Sequence, residues 1–344
     1  MGCAVPAHDF HRKFVEFAPR LLADREQRQV FARMAERCRI AHRFSCLVPS
    51  SDPSRLDAEG FYRCGEFPDT AHRMVRYERE ALPLAERAVA DLGHEFAADK
   101  ITHLLVVSCT GFAAPGLDLQ LAARLGLAAT VERTMIGFMG CSAAIPALRL
   151  ARHIVRSDET ACVLVVAVEL CSLHLQESDR LEELLSFLHF ADGCAAAVVS
   201  ARPFGIAIEG FDGTVLPQTA DHITWRIGAG GFEMHLSGRV PGAILRHLRE
   251  QSPLPPQDDR GDTLLWAVHP GGRSVLDAVE AGLALPPDSL SQSRRVLRDC
   301  GNMSSASVLF VLREIMEGGA AGPGCAMAFG PGVAVETMRF RAPR

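Results

Sequence analysis

The sequence lacks a long hydrophobic run. It contains no stretch of about 18 apolar residues, the length with which a helix crosses a bilayer. Its longest apolar stretches, such as Leu104–Val107 and Cys162–Val168, have the length of buried strands. Met1–Asp9 also lacks the basic and apolar pattern of a signal peptide. We therefore expect no membrane insertion and a cytoplasmic location.

An excess of positive charge is also missing. The 344 residues carry 36 Lys and Arg against 41 Asp and Glu, a net charge of −5, and the two signs are mixed along the chain. Nucleic-acid-binding proteins usually carry a basic excess or stripe, so a nucleic-acid partner is not expected. Hydrophobic residues make up 48% of the chain, which is enough for a substantial core.

The 11 cysteines lack the spacing of a metal site. They form neither a Cys-x-x-Cys pair nor a Cys/His block of the kind that binds zinc. An odd number with irregular spacing is typical of an intracellular protein with reduced, mostly buried thiols. We expect no metal, and at least one thiol is a candidate nucleophile.

What the sequence does contain is an alternation of helix-like and strand-like segments. Helices are expected over 10–43 and 71–96, and a buried strand over 101–107. The Pro-rich segment 253–262 is expected to be a surface loop. Further helices and strands are predicted over 117–125, 145–155, 162–168, 264–268, 274–283, 307–316 and 325–329.

Two blocks of the chain repeat in one register. An offset of 161 residues places Ser108 on His269, Gly140 on Gly301 and Cys141 on Asn302. Two matches at the same offset indicate an internal duplication. Each half alternates strands and helices, which predicts an α/β fold with a mostly parallel sheet. We place the division between residues 1–201 and 202–344.

If the two halves pack about a pseudo-twofold axis, three chemically suggestive residues are expected to converge. Cys141 and Asn302 lie at helix starts, and His269 follows a strand, where function collects in parallel sheets. A helix N-terminus and an imidazole both favour a thiolate nucleophile. Histidine and asparagine can also donate hydrogen bonds to an oxyanion or enolate. Each residue alone has a structural alternative, as a core cysteine, a turn histidine or a helix cap, but together they indicate acyl transfer to sulfur.

Several motifs extend this pattern over nearly the whole chain. They are Ile101-Thr102-His103-Leu104, Gly140-Cys141, Phe190-Ala191-Asp192-Gly193, Ala267-Val268-His269-Pro270-Gly271-Gly272, Gly301-Asn302-Met303-Ser304-Ser305-Ala306, Phe329-Gly330-Pro331-Gly332 and Val335-Glu336-Thr337. With them the sequence resembles the type III polyketide synthases, the chalcone synthase-like family of the thiolase superfamily, with features of its bacterial members. The resemblance implies a homodimer with a duplicated, layered α-β-α-β-α fold and two pseudo-twofold related halves.

The resemblance also implies roles for individual residues. Cys141 would carry the starter and the growing chain as thioesters, and His269 and Asn302 would activate it and assist decarboxylation of malonyl-CoA. Phe190 and Met234 match two gatekeepers between the CoA tunnel and the cavity. Matching cavity positions are Cys109, Thr110, Ala114, Glu169, Cys171, His174, Ile223, Trp225, Ser304, Gly330, Pro331 and Gly332. Matching CoA positions are Arg33, Arg37, Gly271, Gly272 and Ser274.

Some positions depart from the family pattern. Val30 replaces a basic CoA contact, and Met234 replaces a phenylalanine gatekeeper. His174 and Trp225 are larger than their counterparts in chalcone synthases, whereas Ala114 is smaller. We therefore expect His174 and Trp225 to narrow one side of the cavity. Two alternatives remain: a ketoacyl synthase III-like enzyme that performs one condensation with an acyl carrier protein, and a binding protein that has kept the thiolase fold without catalysis.

Overall fold

A computed structural model describes residues 1–250 and 264–343 of the chain. The loop expected over 253–262 lies outside the described residues. The strands are β1 Gly2–Ala4, β2 His8–Asp9, β3 Phe44–Ser45, β4 His103–Ser108, β5 Glu132–Gly137, β6 Cys162–Leu170, β7 Asp192–Ser200, β8 Ala207–Val215, β9 Ile223–Gly228, β10 Gly231–Leu236, β11 Leu265–Val268, β12 Gly322–Gly330 and β13 Ala334–Ala342. The helices are α1 His11–Phe17, α2 Arg25–Arg37, α3 Thr70–Ala90, α4 Leu117–Arg124, α5 Ala144–Ser157, α6 Leu181–Phe187, α7 Val240–Glu250, α8 Arg273–Gly282, α9 Ser291–Cys300 and α10 Ser307–Glu317.

Two main sheets share one topology. The first has the strand order β1-β7-β6-β4-β5 and the second the order β8-β13-β12-β11. The matching pairs β6/β4 and β12/β11 are parallel, while β7 and β13 run antiparallel to their neighbours. The duplication predicted from the 161-residue offset is therefore present in the sheets. The strand β5 breaks the symmetry, because the equivalent segment of the second half belongs to α9.

The central helices lie between the sheets. Both α5 and α10 contact strands of the first and of the second sheet. Helix α3 covers the outer face of the first sheet. The buried sides of α7 and α8 share one apolar cluster with Val268 and Met327 of the second sheet, while α9 packs beside α10 and the edge strand β11. The buried faces of α5 and α10 join the inner faces of both sheets in one apolar cluster. This is the layered α-β-α-β-α arrangement expected from the sequence.

Two expectations about the fold were wrong. The sheets are mixed rather than mostly parallel, because in each half a long strand pairs antiparallel with the strand that follows it, β7 with β6 and β13 with β12. The helix expected over 10–43 is broken into α1 and α2. Pro19 lacks an amide hydrogen, and Asp24 caps a new helix by accepting a hydrogen bond from the amide of Glu26 at 3.0 Å.

The hairpin β9/β10 stands apart from both main sheets. Its two strands pair only with each other, and Met234 lies directly opposite Trp225. Thr70 anchors the turn: its amide donates to the carbonyl of Ala229 at 2.9 Å, and its hydroxyl accepts from Gly231 at 2.9 Å. Among the helices within 1–250 and 264–343, none has the length and apolarity to span a membrane.

Candidate active site

Cys141 lies in a tight turn that leads into α5. A 3-10 turn covers Gly140–Ser142, and Gly140 has a φ of +62°. A Cβ atom at Gly140 would lie 2.5 Å from Cδ of Pro331. Glycine is needed here both for the left-handed backbone and for the close approach of Pro331. The turn that carries Cys141 therefore packs against the end of β12.

Asn302 lies at the equivalent turn of the second half. The preceding Gly301 has a φ of +72°, which matches the positive φ of Gly140 before Cys141. The amide of Asn302 donates to the carbonyl of His189 at 2.8 Å, and its carbonyl accepts from Ala191 at 2.9 Å. These two bonds flank Phe190, so the backbone fixes Asn302 beside the predicted gatekeeper.

The orientation of the Asn302 amide follows from its hydrogen bonds. Oδ1 accepts from the backbone amide of Ser304 at 2.9 Å and lies 4.0 Å from Sγ of Cys141. Nδ2 donates to the carbonyl of Gly271 at 3.3 Å. An amide nitrogen carries two hydrogens, so one donor is left for a ligand. The group can therefore stabilise negative charge on an oxygen.

His269 follows β11 and is fixed by its backbone. Its amide donates to the carbonyl of Met327 at 2.7 Å, which continues the pairing with β12. The side chain is buried, and neither ring nitrogen has a hydrogen-bond partner among the described residues. A buried imidazole with two unused nitrogens can accept one proton and donate another without breaking an existing contact.

Burial opposes charge on both reactive groups. It raises the pKa of Cys141 to about 11, although hydrogen bonding with the side chains of Ser304 and Asn302 acts in the opposite direction. It lowers the pKa of His269 to about 3. Burial therefore opposes the charged form of each of these two groups.

The three residues line one apolar cavity of about 60 Å³. Most of the sequence-predicted cavity positions lie in its wall. Besides the three reactive residues, the wall consists of Cys109, Thr110, Gly140, Cys171, Phe187, Phe190, Ile223, Trp225, Met234, Leu236, Val240, Gly271, Val275, Ser304, Phe329, Gly330 and Pro331.

Comparison with known proteins agrees with this geometry. Residues 24–203 match the N-terminal domain of the chalcone and stilbene synthases, and residues 209–343 match their C-terminal domain. The chain belongs to the chalcone and stilbene synthase family. It is thus a type III polyketide synthase, an enzyme of the acyltransferase type, as its motifs suggested.

Individual relatives cover most of the chain. An alpha-pyrone synthesis polyketide synthase-like protein, Pks18 of Mycobacterium tuberculosis, is 33% identical over 93% of this chain and 84% of its own length. The bisdemethoxycurcumin synthase of Oryza sativa is 38% identical over 76% of this chain and 70% of its own. The structure of 1,3,6,8-tetrahydroxynaphthalene synthase from Streptomyces coelicolor superposes with a TM-score of 0.87, 30% identity, and coverage of 100% and 98% of the two chains.

Some predicted substrate residues of this polyketide synthase lie behind the cavity wall or away from it. Glu169 is fully buried and accepts hydrogen bonds from the amide of Cys109 at 3.0 Å and the hydroxyl groups of Thr110 and Ser305 at 2.9 and 2.5 Å. Burial raises its pKa. His174 is buried behind Trp225 instead of narrowing the cavity directly. Gly332 and the exposed Ala114 also lie outside the wall.

The predicted CoA residues lie on α2 and at the start of α8. Arg33 and Arg37 are exposed on α2, and Ser274 is exposed in the first turn of α8. Arg273 joins these helices, because its guanidinium donates to the carbonyl of Arg37 at 3.2 Å. Gly271 lines the cavity, whereas Gly272 is buried outside its wall, where a Cβ atom would lie 3.3 Å from the ring of His189.

The sequence did not reveal five apolar residues of the cavity wall. Their only sequence signal is apolarity close to a motif, as for Phe329 before Gly330. They are Phe187, Leu236, Val240, Val275 and Phe329. No cluster of three or more His, Cys, Asp or Glu side chains suited to a metal occurs within the described part of the chain.

Proposed function

We propose that this enzyme loads an acyl group from an acyl-CoA, or a malonyl-CoA, onto Cys141 and extends it with malonyl-CoA. A single observation carries the proposal: the thiol of Cys141, the imidazole of His269 and the amide of Asn302 line one apolar cavity. The thiol and the amide lie at equivalent turns of the two duplicated halves. Each step needs only a nucleophile, a proton acceptor and hydrogen-bond donors, so the proposal includes no metal or organic cofactor.

Loading begins when His269 takes the proton of Cys141. The sulfur attacks the thioester carbonyl of the acyl-CoA, and the negative charge moves to the carbonyl oxygen. The amide of Asn302 and the protonated His269 donate to this oxygen. Collapse of the tetrahedral intermediate breaks the bond to the CoA sulfur, which leaves as free CoA with the proton from His269. Cys141 then holds the acyl group as a thioester.

The extension step uses the same hydrogen-bond donors, Asn302 and His269, to stabilise the negative charge of an enolate. Malonyl-CoA loses carbon dioxide, and the electrons of the broken carbon–carbon bond form an enolate at the thioester. Asn302 and His269 stabilise its oxygen, and its carbon attacks the acyl group on Cys141. A ketoacyl-CoA longer by two carbons forms, and Cys141 leaves as the thiolate. Reloading and repetition lengthen the chain.

The product released is proposed to be cyclised to a pyrone, a resorcinol or a polyhydroxynaphthalene. Relatives named for alpha-pyrone synthesis and for tetrahydroxynaphthalene synthesis support the pyrone and polyhydroxynaphthalene classes. An apolar cavity that shields a poly-ketone chain from water also favours attack of one chain position on another.

Coenzyme A is proposed to bind along α2 and the start of α8. Arg33 and Arg37 would contact its phosphates, and Gly271, Gly272 and Ser274 would border the pantetheine arm. Exposed guanidinium groups suit phosphate oxygens, and Gly271 lines the cavity in which the thioester must react. Phe190 and Met234, both in the cavity wall, would flank the entrance.

The active unit is proposed to be a homodimer. The edge strand β5 is largely exposed, and its own Met135 is 42% exposed. Phe112 and Met139, which lie outside this strand, are 45% and 40% exposed. A clustered apolar surface at a sheet edge is typical of an interface. The cytoplasm is the proposed location, because all eleven cysteines are free.

Product analysis tests the proposed function. The enzyme is incubated with malonyl-CoA and a panel of acyl-CoAs, and pyrones or aromatic products are sought by mass spectrometry, with Cys141→Ala as the control. Products with two or more extensions support the proposal. A single condensation that requires acyl carrier protein would instead support the ketoacyl synthase III-like alternative. Failure of Cys141 to accept any acyl group would favour a binding protein.

A further inference from the structure

One edge of β7 is paired over only part of its length. On one side all nine residues of β7, Asp192–Ser200, pair with β6. On the other side β1 pairs only with residues 194–196. Among the described residues, no strand pairs with residues 197–200 on this second side. Unpaired amide and carbonyl groups at a sheet edge are a template for a further strand.

The second half of the molecule shows the equivalent edge covered along nearly its whole length. There β13 takes the place of β7 and also has nine residues. Its partner β8 pairs with it from Ala334 to Arg341, and β8 has nine residues where β1 has three. Because the two main sheets share one topology, residues 197–200 lack, within the described structure, the partner that the start of β8 supplies to β13.

A groove of about 990 Å³ lies along this free edge. Residues 197–200, Leu92 after α3 and Met316 of α10 line it. Helix α3 lies on the outer face of the first sheet and α10 on its inner face, so apolar side chains border the groove on both faces. Phe204, which also lines it, is 68% exposed. Side chains of a strand point alternately to the two faces of a sheet, so the groove suits an extended apolar segment.

Three cations line the groove without a carboxylate partner. They are Lys100, Arg156 and Arg202, and none forms an ion pair within the part of the chain that the structure describes. Two of them lie near the end of β7. Burial raises the pKa of Cys162, which pairs with Ser200, and the charges of Arg202 and Lys100 oppose this rise.

The other charged residues of the groove do not cancel these cations. Arg152 also lines the groove, and its guanidinium donates to the carbonyl of Ile208 at 3.0 Å. Two carboxylates line the described groove: Glu95, which lies 2.9 Å from His94, and the exposed Glu159. Four cationic side chains therefore stand against two carboxylates, which favours an acidic ligand.

We propose that this groove binds an extended segment of a partner protein, which adds an antiparallel strand to β7 and carries acidic residues toward Lys100, Arg156 and Arg202. The backbone of the segment pairs with residues 197–200, as in other complexes formed by strand addition. The groove includes the C-terminal end of α5, whereas Cys141 precedes the N-terminal end of this helix. A helix of 14 residues is about 21 Å long, so the site is separate from the catalytic cavity.

A peptide with the sequence of β8 tests the proposal. β8, Ala207–Val215, covers the equivalent edge of the second sheet and contains Glu209 and Asp212. The fluorescein-labelled peptide is titrated with the native enzyme, and its fluorescence anisotropy is measured. We expect saturable binding, and slower amide hydrogen exchange in β7 when the peptide is present.

Two N-methylated forms of the peptide show whether a strand forms. Successive amides of a strand point to opposite sides, so methylation at alternate residues blocks one edge of the peptide and leaves the other edge free. Only the form whose blocked edge faces β7 should bind about tenfold more weakly, or worse, because it loses several backbone hydrogen bonds.

Charge reversal at the surface tests the role of the cations. Arg202→Glu should weaken binding by about threefold or more at low ionic strength. Arg246→Glu, at an exposed position of α7 that does not line the groove, should bind as the native enzyme does. The proposal is overturned by the absence of saturable binding, by equal affinities of the two charge variants, or by equal binding of the two N-methylated peptides. That last result would fit a small amphipathic anion instead of a strand. No substrate is present, so a failure of the proposed acyl transfer leaves these measurements unaffected.

Discussion

The thiol of Cys141 lies 4.0 Å from the amide oxygen of Asn302, although 161 residues separate them in the chain. Each follows a glycine with positive φ and precedes a central helix, α5 or α10. The turns before these helices contact each other, so the duplication brings both helix starts to one point. One half supplies a thiol, and the other an uncharged amide at the matching position.

The reactivity of Cys141 should depend on His269. In the native enzyme, iodoacetamide should alkylate Cys141 faster than the other ten cysteines at neutral pH. Burial raises the pKa of the thiol, so its reaction at neutral pH needs a proton acceptor, and His269→Ala removes the proposed one from the cavity. Alkylation of Cys141 should then be slow at pH 7 and rise only in alkaline solution.

Peptide mass spectrometry over a range of pH measures this for each cysteine. The exposed Cys64 serves as an internal reference, since its rate should be the same in both proteins. Equal rates at Cys141 with and without His269 at pH 7 would mean that the imidazole is not the proton acceptor.

Asn302 should matter for the enolate because it can donate. Losing one such donor typically costs about 10²–10³ in rate. Asn302→Asp should lower malonyl-CoA decarboxylation at least as much as Asn302→Ala, since a carboxylate repels the enolate and cannot donate. Carbon dioxide release from labelled malonyl-CoA measures this without a starter. A native rate in Asn302→Asp would show that Asn302 has another role.

Much of the fold could be predicted from the sequence, because glycine-containing turns and short apolar strands leave local signals. The offset that placed Cys141 on Asn302 also predicted which strands and helices repeat. No local sequence signal shows whether a side chain faces the catalytic cavity or lies behind its wall. His174 and Trp225 were both expected in the cavity, yet the hairpin turns only Trp225 toward Cys141. Likewise, burial outweighs the helix N-terminus at Cys141, and burial depends on contacts from distant segments.

Buried histidines should make the fold sensitive to acid. Burial lowers the pKa of His11 and His189 to about 4, and of His174 and His269 to about 3, from an ordinary value of 6.5. Below pH 6.5 the unfolded chain therefore binds protons that the folded chain does not. Stability should be highest above this pH and fall toward pH 4, with up to four protons taken up on unfolding.

Urea unfolding at several pH values between 7.5 and 4.5 measures the slope. Buried carboxyls such as Glu169 and Asp192, whose pKa values are raised by burial, act in the opposite direction. The comparison is therefore between the native protein and His174→Gln, which differ by one such histidine. The proton uptake of the variant should be smaller by about one. An identical slope would show that His174 is not excluded from protonation in the folded state.

Alanine substitutions at Gly140 and Gly126 separate the effect of backbone strain from the effect of moving the proposed nucleophile, Cys141. Their φ angles are +62° and +67°, so alanine at either position should cost about 1–2 kcal/mol of stability. At Gly126 no atom lies within 4 Å of the new Cβ, whereas at Gly140 it would lie 2.5 Å from Cδ of Pro331. Gly140→Ala must therefore push Cys141 or Pro331 aside, and a shift of about 1 Å can cost about 10²-fold in rate. We expect both variants to lose stability in urea unfolding, Gly140→Ala more than Gly126→Ala because of the overlap with Pro331. Only Gly140→Ala should lose acyl transfer to Cys141, measured by intact-protein mass spectrometry. Equal acylation rates in the two variants would mean that Pro331 yields without moving the sulfur, and that Gly140 serves only the backbone.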